Sequence, residues 1–118
     1  MIHRLKEAKE KHIYNLQVEL NRIKLKLITM GARKIILFGS AAREELGLMS
    51  DIDLIVIIES NKDFLERLAY FYQEIQPIDA DLLIYTPLEF TRMVEENLFI
   101  QHAIKQGKII FERNEQIL

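Results

Sequence analysis

The sequence lacks cysteine altogether, and this absence excludes several classes of functional site. Without a thiol, the 118-residue chain has no disulfide framework, no cysteine zinc site and no cysteine nucleophile. Tryptophan is also absent, and there are only four glycines and two prolines. No Gly-x-Gly-x-x-Gly or Walker A pattern occurs, which argues against dinucleotide-binding and P-loop sites.

The chain also lacks an excess of charge of either sign. Its 16 Lys and Arg residues are opposed by 18 Asp and Glu residues, which gives a formal net charge of -2. Proteins that bind nucleic acid or anionic membranes through electrostatics usually carry clustered Lys and Arg. The composition therefore gives no strong nucleic-acid signal and predicts no membrane partner.

Long hydrophobic runs are missing as well. A run such as Leu54–Ile58 is far shorter than the roughly 18 apolar residues that a membrane span requires. Residues 1–11 carry charges of both signs without the apolar stretch of a signal peptide, so we expect a cytoplasmic protein. With 49% hydrophobic and 29% charged residues, the length predicts one globular domain over residues 1–118.

The few glycines and prolines fall where the hydrophobic pattern changes, so they mark the ends of secondary-structure elements. An N-terminal helix is predicted within residues 1–30, with Gly31 in a left-handed conformation just after it. Apolar residues spaced by three and four form its seam, and others widen this apolar face: Ile13, Leu16, Leu20, Ile23 and Leu27, with Tyr14, Val18, Leu25 and Ile28.

A catalytic core is predicted over residues 33–112, with strands and helices in alternation. The strands are predicted at 33–38, 51–58, 79–85 and 108–112, and the second should be central because it is almost continuously apolar. The helices are predicted at 41–46, from Ser60 to about Gln73, from Thr86 to a break near Asn97, and from there to Gly107. The fold class is therefore α/β (α+β), with helices packed against a small mixed sheet.

Two of these helices have predicted caps. Ser60 should cap the third predicted helix, with Asp63 three residues later, and this helix should bury Phe64, Leu65, Leu68 and Phe71. Thr86, Pro87 and Glu89 should supply the N-cap, the first helical residue and the third helical residue of the next helix.

The most informative feature is a set of aspartates that precede apolar strands. Asp51 and Asp53 lead into one strand, and Asp79 and Asp81 lead into the next. Strand alternation places Asp51 and Asp53 on one face, with Cα atoms roughly 7 Å apart. Paired carboxylates beside an apolar core are costly unless a cation or hydrogen-bond donors offset their charge. Oxygen ligands without His or Cys favour Mg²⁺ or Mn²⁺, and Asp79 or Asp81 would complete the site if the strands are adjacent.

A second feature supports a nucleotide site. Gly39 and Ser40 follow a buried strand and precede a short helix, so the glycine permits close backbone approach while amides and the hydroxyl can hold phosphate oxygens. An isolated Asp-x-Asp or Gly-Ser is usually an ordinary strand end or turn. Together they point to a Mg²⁺–phosphate site.

The spacing of these residues matches a known signature. Gly39-Ser40, ten intervening residues and Asp51-Ile52-Asp53 resemble the Gly-Ser-x10-Asp-x-Asp motif of nucleotidyltransferases in the DNA polymerase beta-like superfamily. The segment that follows Asp81 and the terminal Gly-Lys-Ile-Ile-Phe-Glu resemble the minimal nucleotidyltransferase family in particular. The resemblance covers about residues 34–112 and implies a mixed sheet with helices packed on one side and an ATP–Mg²⁺ site after the first strand.

The resemblance also implies roles for single residues. Gly39 and Ser40 would hold triphosphate oxygens, while Asp51 and Asp53 would bind Mg²⁺. Asp81 matches the third carboxylate, which would complete a second metal site and help to deprotonate the acceptor hydroxyl. Asp79 competes for this role, but the sequence after Asp81 aligns better.

A basic position next to the signature is only partly retained. Arg43 stands where the family has a phosphate-contacting arginine, although it also has acidic neighbours with which to pair on the surface. Glu44 replaces the glycine that follows in the family, and Ala41 offers no charge. These departures bear on nucleotide affinity rather than on the metal carboxylates.

The implied reaction is transfer of AMP from ATP to a hydroxyl group. Members of the family often pair with a HEPN-domain toxin and act as its antitoxin by adenylylating a tyrosine. Two alternatives stay open: transfer to a small molecule or an RNA end, and a non-catalytic antitoxin that only binds the toxin. The N-terminal helix offers a docking or dimerisation face, although covering its own sheet is the simpler role. No chemistry is assigned to His3, His12 or His102.

Overall fold

The predicted order of elements is confirmed by a computed structural model, which describes residues 2–42 and 51–114. In these ranges the helices are α1 (Ile2–Thr29), α2 (Gly39–Ala42), α3 (Phe64–Ile75), α4 (Pro87–Glu96) and α5 (Leu98–Gln106). The strands are β1 (Lys34–Phe38), β2 (Ile52–Ile57), β3 (Ala80–Tyr85) and β4 (Lys108–Glu112). The predicted helix at 41–46 lies largely outside the described residues. No helix in the described ranges is long and apolar enough to cross a membrane.

The strands form a mixed sheet in the order β3-β2-β1-β4. β1 runs antiparallel to β2 and to β4, whereas β2 and β3 are parallel. A parallel pair requires a crossover connection, and α3 supplies it. The central position predicted for β2 is confirmed, and its entrance lies next to the entrance of β3.

Helices cover both faces of this sheet, so the expectation of helices on one side only is wrong. α1 and α3 pack on one face around Leu54 and Val56. α4 and α5 pack on the other face around Ile36 and Ile55. The physical reason is that the central strands are apolar on both faces, and each face must be removed from water.

Only one stripe of α1 contacts the sheet. Leu16, Ile23 and Leu27 are buried, as the helical seam predicts. Tyr14, Val18 and Leu25 are 63%, 52% and 55% exposed, so the prediction that they widen the buried face is wrong. At 3.6 residues per turn they lie on the side of the helix opposite the buried seam, and this side faces away from the sheet. Gly31 has the expected positive φ, at +105°.

Helix α3 begins later than the sequence pattern suggests. Its N-cap is Asp63, whose side chain accepts a hydrogen bond from the Glu66 amide at 2.9 Å, so the prediction of Ser60 as N-cap is wrong. Ser60 instead accepts from the Lys62 amide. Leu65 is 73% exposed, so the prediction that it is buried is wrong, because at 3.6 residues per turn it lies to one side of the stripe that contains Phe71 and Ile75. Phe71 is buried, as predicted.

A buried arginine that the sequence analysis did not single out joins α3 to α4. Arg67 is 2% exposed, and its guanidinium donates to the carbonyls of Ile84 and Lys62 and to both carboxylate oxygens of Glu89. Glu89 also accepts from the Thr86 amide, which completes the predicted capping box of α4. This network fixes the end of β3 and the start of α4 against α3.

Candidate active site

The two aspartate-bearing strands are neighbours, and this places Asp53 beside Asp81. In the parallel pair β2·β3 these two residues are register partners, so their Cα atoms lie on adjacent strands roughly 4.8 Å apart. By strand alternation both lie on the same face of the sheet as Ile55 and Tyr85, which pack against α4 and α5. The strand ladder therefore brings two of the predicted site carboxylates together at one edge of the sheet.

Asp51 and Asp79 precede the two strands and have different surroundings. Asp51 is exposed and lies immediately before β2. Asp79 has a left-handed backbone, with φ of 52°, and its carbonyl accepts a hydrogen bond from the Ile52 amide. Its side chain lines a 400 Å³ cavity against α1, together with Asn15 and Glu19. Asp79 thus faces α1, and Asp81 is the residue that joins Asp53.

The electrostatics of Asp53 reflect its crowded position. Partial burial raises the pKa of its carboxyl group above the ordinary value, and the negative charges of Asp81 and then Asp51 raise this pKa further. In the described part of the chain, no three His, Asp or Glu side chains are already arranged as an ion site. The chemistry of the three carboxylates nevertheless fits a hard divalent cation, because such an ion would offset the repulsion among them.

The backbone at Gly39 passes directly against the Asp53 carboxylate. Gly39 has φ of +73°, and a β-carbon at this position would lie 2.5 Å from Asp53 Oδ2. The preceding residue, Phe38, is the register partner of Asp53 across β1 and β2. Only glycine combines this backbone conformation with this close approach. The predicted phosphate-binding turn therefore lies next to the predicted metal ligand.

The remaining predicted site residues are placed less completely. Ser40 follows Gly39 within α2, on the same short helix. Arg43 and Glu44 lie outside the described residues. The phosphate contact predicted for Arg43 therefore stays a prediction.

A pocket beside Asp53 contains residues that the sequence analysis missed. Its volume is 350 Å³, and it is lined by the end of β1, by Asp53 and by one face of α5: Phe38, Gly39, Asp53, Phe99, His102, Ala103 and Gln106. The α5 residues recur at intervals of three and four, as expected for one side of a helix. His102 was assigned no chemistry because no carboxylate is near it in the sequence. The spacing of Phe99, His102 and Gln106 by three and four residues was the sequence signal that could have placed His102 on the same side of α5 as the pocket.

Comparison with known proteins assigns the chain to a protein family. The model of the family described as "Polymerase beta, Nucleotidyltransferase" matches residues 23–116, which include the Gly-Ser turn and both aspartate-bearing strands. The chain belongs to this family and is a nucleotidyltransferase. The resemblance drawn from Gly39, Asp51 and Asp53 is thereby confirmed.

Individual relatives add detail to this assignment. A protein of Methanocaldococcus jannaschii named "Putative protein adenylyltransferase MJ0435" is 34% identical over an alignment of 88 residues, and the match covers 67% of this chain and 95% of the relative. The crystal structure of a nucleotidyltransferase from Sulfolobus solfataricus, called putative in its description, shares the fold, with a TM-score of 0.64 and 16% identity over 90% of this chain and 88% of that chain.

A weaker structural similarity involves a toxin-antitoxin complex. It is to the tri-AMPylated HEPN toxin of Shewanella oneidensis bound to its MNT antitoxin, at 22% identity over 83% of this chain and 73% of that chain. Its TM-score is 0.45.

Proposed function

We propose that the protein is a Mg²⁺-dependent adenylyltransferase that transfers AMP from ATP to a hydroxyl group on another protein. The observation that carries this proposal is the register pairing of Asp53 with Asp81, with the Gly39 backbone against the Asp53 carboxylate. Acidic groups on one side and a phosphate-binding turn on the other fit a metal-bound triphosphate. The name of the 34% identical archaeal relative supports a protein as the acceptor.

In the proposed reaction, the acceptor oxygen forms a bond to the α-phosphorus, and the bond from this phosphorus to the bridging oxygen breaks. Pyrophosphate leaves and carries the electron pair of the broken bond. Gly39 and Ser40 hold phosphate oxygens through backbone amides and the Ser40 hydroxyl. Asp81 receives the proton of the acceptor hydroxyl. Asp51, Asp53 and Asp81 would hold two Mg²⁺ ions, which when bound supply positive charge to the developing negative charge on phosphate.

The proposed acceptor is a tyrosine of a HEPN-domain toxin, and its adenylylation makes this protein the antitoxin of the pair. Support for this partner comes from the resemblance to minimal nucleotidyltransferases in the segment that follows Asp81 and in the terminal Gly-Lys-Ile-Ile-Phe-Glu.

The test uses ATP labelled at the α-phosphate, Mg²⁺ and a candidate HEPN-domain toxin, to be sought among the products of the neighbouring genes. We expect label on the toxin from α-labelled ATP, none from γ-labelled ATP, and loss of labelling in Asp53→Asn and Asp81→Asn. Asp63→Asn is the matched control, because Asp63 caps α3 away from the site and asparagine caps helices equally well. Labelling should survive in this control.

Other outcomes separate the alternatives. Equal labelling by Asp53→Asn and wild type would contradict the catalytic assignment. Toxin neutralisation that persists in Asp53→Asn while labelling disappears would show that binding alone is the antitoxin mechanism. Label recovered on RNA or a small molecule, with none on protein, would replace the acceptor class but keep the chemistry.

A further inference from the structure

Two side chains of α1 hold the loop between α3 and β3. Glu19 accepts a hydrogen bond from the Ile78 amide at 2.6 Å through its Oε2 atom. Its two carboxylate oxygens also accept from Nε and Nη2 of Arg22, at 2.6 and 2.9 Å. Arg22 in turn donates to the carbonyls of Ile75 and Gln76, where α3 ends. One ion pair therefore binds both the end of α3 and the segment before β3.

The geometry and charge of this ion pair make it a firm contact. The Glu19 side chain is 12% exposed and receives two hydrogen bonds from the Arg22 guanidinium, an arrangement that adds direction to the attraction between the charges. The bond from Arg22, with a further one from the Ile78 amide, holds the pKa of Glu19 below its ordinary value despite partial burial. Glu19 is therefore ionised at neutral pH. The positive charge of Arg22 also lies at the carboxyl end of α3, where a cation is favourable.

The loop contains two backbone conformations that residues other than glycine rarely adopt. Gln76 and Asp79 have φ of 49° and 52°, and they are the non-glycine residues with positive φ in the described ranges. Such conformations are strained and persist where the surrounding structure holds them. Gln76, Ile78 and Asp79 are exposed, so apolar packing does little to hold the loop. The hydrogen bonds from α1 supply the restraint.

This restraint bears on the candidate active site because β3 begins directly after the loop. The carbonyl of Asp79 accepts a hydrogen bond from the Ile52 amide, at the start of β2. Two residues later, Asp81 is paired with Asp53. β3 is an edge strand, so the ladder holds it on one side only. A shift of the loop would therefore displace Asp81 before it reached the buried middle of the strand.

We propose that Glu19 and Arg22 are positioning residues for Asp81, which they keep opposite Asp53 by fixing the loop 76–79. This inference rests on the proposed function, because it takes Asp81 to act on the acceptor hydroxyl. Both positioning residues lie before residue 23, where the match to the nucleotidyltransferase family begins, so the family assignment does not supply this role. The N-terminal helix thereby takes part in the reaction as well as covering the sheet.

The kinetic test measures AMP transfer by Glu19→Ala over a range of ATP concentrations. Its kcat should fall by up to about 10²-fold, because a misplacement of roughly 1 Å at a reacting group can have an effect of this size. The KM for ATP should not change, since the proposed phosphate contacts are at Gly39 and Ser40, on the β1 side of the site. Glu19→Gln keeps an oxygen that accepts from the Ile78 amide, and it should restore most of the kcat.

Lys26→Ala is the matched control. Lys26 also donates from α1 to a carbonyl near the end of α3, that of Glu74 at 2.8 Å, but this carbonyl precedes the loop. The kcat of Lys26→Ala should equal that of wild type. A wild-type kcat in Glu19→Ala, or a Glu19→Gln variant as slow as Glu19→Ala, would overturn the inference. An equal loss of kcat in Lys26→Ala would also overturn it, because general docking of α1 on α3 would then be the cause.

Hydrogen exchange supplies a readout that does not depend on transfer. In Glu19→Ala the amides of Ile78 and Ile52 should exchange faster, by up to roughly tenfold for the loss of one hydrogen bond. Val56, in the buried middle of β2, should keep its protection, and Lys26→Ala should leave all three amides protected. Unchanged exchange at Ile52 would overturn the inference even if kcat fell, because the effect on Asp81 must pass through the start of the ladder.

Failure of this inference and failure of the proposed function give different results. AMP transfer by wild type, with the same kcat in Glu19→Ala, would overturn the inference and leave the function intact. Absence of AMP transfer by wild type would overturn the function. Stabilisation by Mg²⁺ that is reduced in Glu19→Ala but not in Lys26→Ala would still support the placement of Asp81, and equal stabilisation of all three proteins would overturn it.

Discussion

Asp53 of β2 and Asp81 of β3 are register partners in a parallel strand pair. Their separation is therefore set by the hydrogen-bonded ladder between the strands and is not adjustable by side-chain choice. The ladder holds two negative charges together against their repulsion. The hydrophobic cores, one on each face of the sheet, supply the folding stability that offsets this repulsion. The site is thus built at a cost to the fold in the absence of a cation.

The first prediction concerns this cost. Asp53→Asn should raise the free energy of unfolding in metal-free buffer at neutral pH. Burial, and then the charges of Asp81 and Asp51, raise the pKa of Asp53 in the folded state, so the ionised form is disfavoured there. The stability contributed by a group with a raised pKa is fully present below its unfolded pKa, about 3.9 for Asp, and is lost as the pH rises through the folded pKa.

The advantage of Asp53→Asn should therefore vanish in acid and be complete above the folded pKa of Asp53. Urea denaturation of wild type and of Asp53→Asn over a pH series measures this difference in the free energy of unfolding. A difference between wild type and Asp53→Asn that does not change with pH would contradict the electrostatic explanation.

The second prediction concerns Mg²⁺. Millimolar Mg²⁺ should raise the melting temperature of wild type, because a ligand that binds only the folded state stabilises it by mass action. The same ion should do little for Asp53→Asn or Asp81→Asn, since each lacks one of the carboxylates. Differential scanning fluorimetry with and without Mg²⁺ measures these melting temperatures. An equal shift in the melting temperature of all three proteins would indicate that Mg²⁺ binds elsewhere.

The third prediction contrasts two glycines with positive φ. Alanine at Gly39 or at Gly31 should cost on the order of 1–2 kcal/mol in backbone strain. At Gly39 the new β-carbon also meets Asp53 Oδ2 at 2.5 Å, whereas at Gly31 the nearest side-chain atom is 3.9 Å away, in Ile58. We expect Gly39→Ala to lose AMP transfer and Gly31→Ala to keep it.

AMP transfer and the free energy of unfolding should both be measured for Gly39→Ala and for Gly31→Ala. If both glycine variants lose stability equally and both retain activity, the close approach of Gly39 to Asp53 has no catalytic role.

The fourth prediction concerns the buried Arg67. Glu89→Gln should lower the free energy of unfolding by about 1–3 kcal/mol, because it removes a charge-assisted partner from a guanidinium that is 2% exposed. Glu95→Gln, on an exposed position of the same helix, should change stability by less than about 0.5 kcal/mol. Chemical denaturation of both variants tests this, and an equal effect would refute the role assigned to the ion pair.

The order of elements was predictable because Gly and Pro punctuate the chain. Gly31, Pro77, Pro87 and Gly107 each fall at or next to an element boundary, where local backbone chemistry is decisive. The capping box at Thr86 and Glu89 was read correctly for the same reason. Asp53 and Asp81 were candidates because carboxylates are unusual beside such apolar strands, and the choice of Asp81 over Asp79 came from the family resemblance.

The features that were missed depend on tertiary geometry. Ser60 and Asp63 are both good helix caps, and only packing selects Asp63. Exposure of Tyr14, by contrast, was predictable from the sequence, because the helical period places Tyr14 on the side of α1 opposite the buried seam. The placement of His102 in the same pocket as Asp53 depends on how α5 lies over β1, which a single sequence does not reveal.

The parallel pairing of β2 with β3 has a consequence for the making of the protein. The chain must pass through α3 before it returns to lay Asp81 beside Asp53, so these carboxylates emerge from the ribosome well apart in time. A nascent chain that ends before β3 carries Gly39, Asp51 and Asp53 but lacks Asp81. The proposed site is therefore completed late in synthesis, when most of the sheet has already been translated.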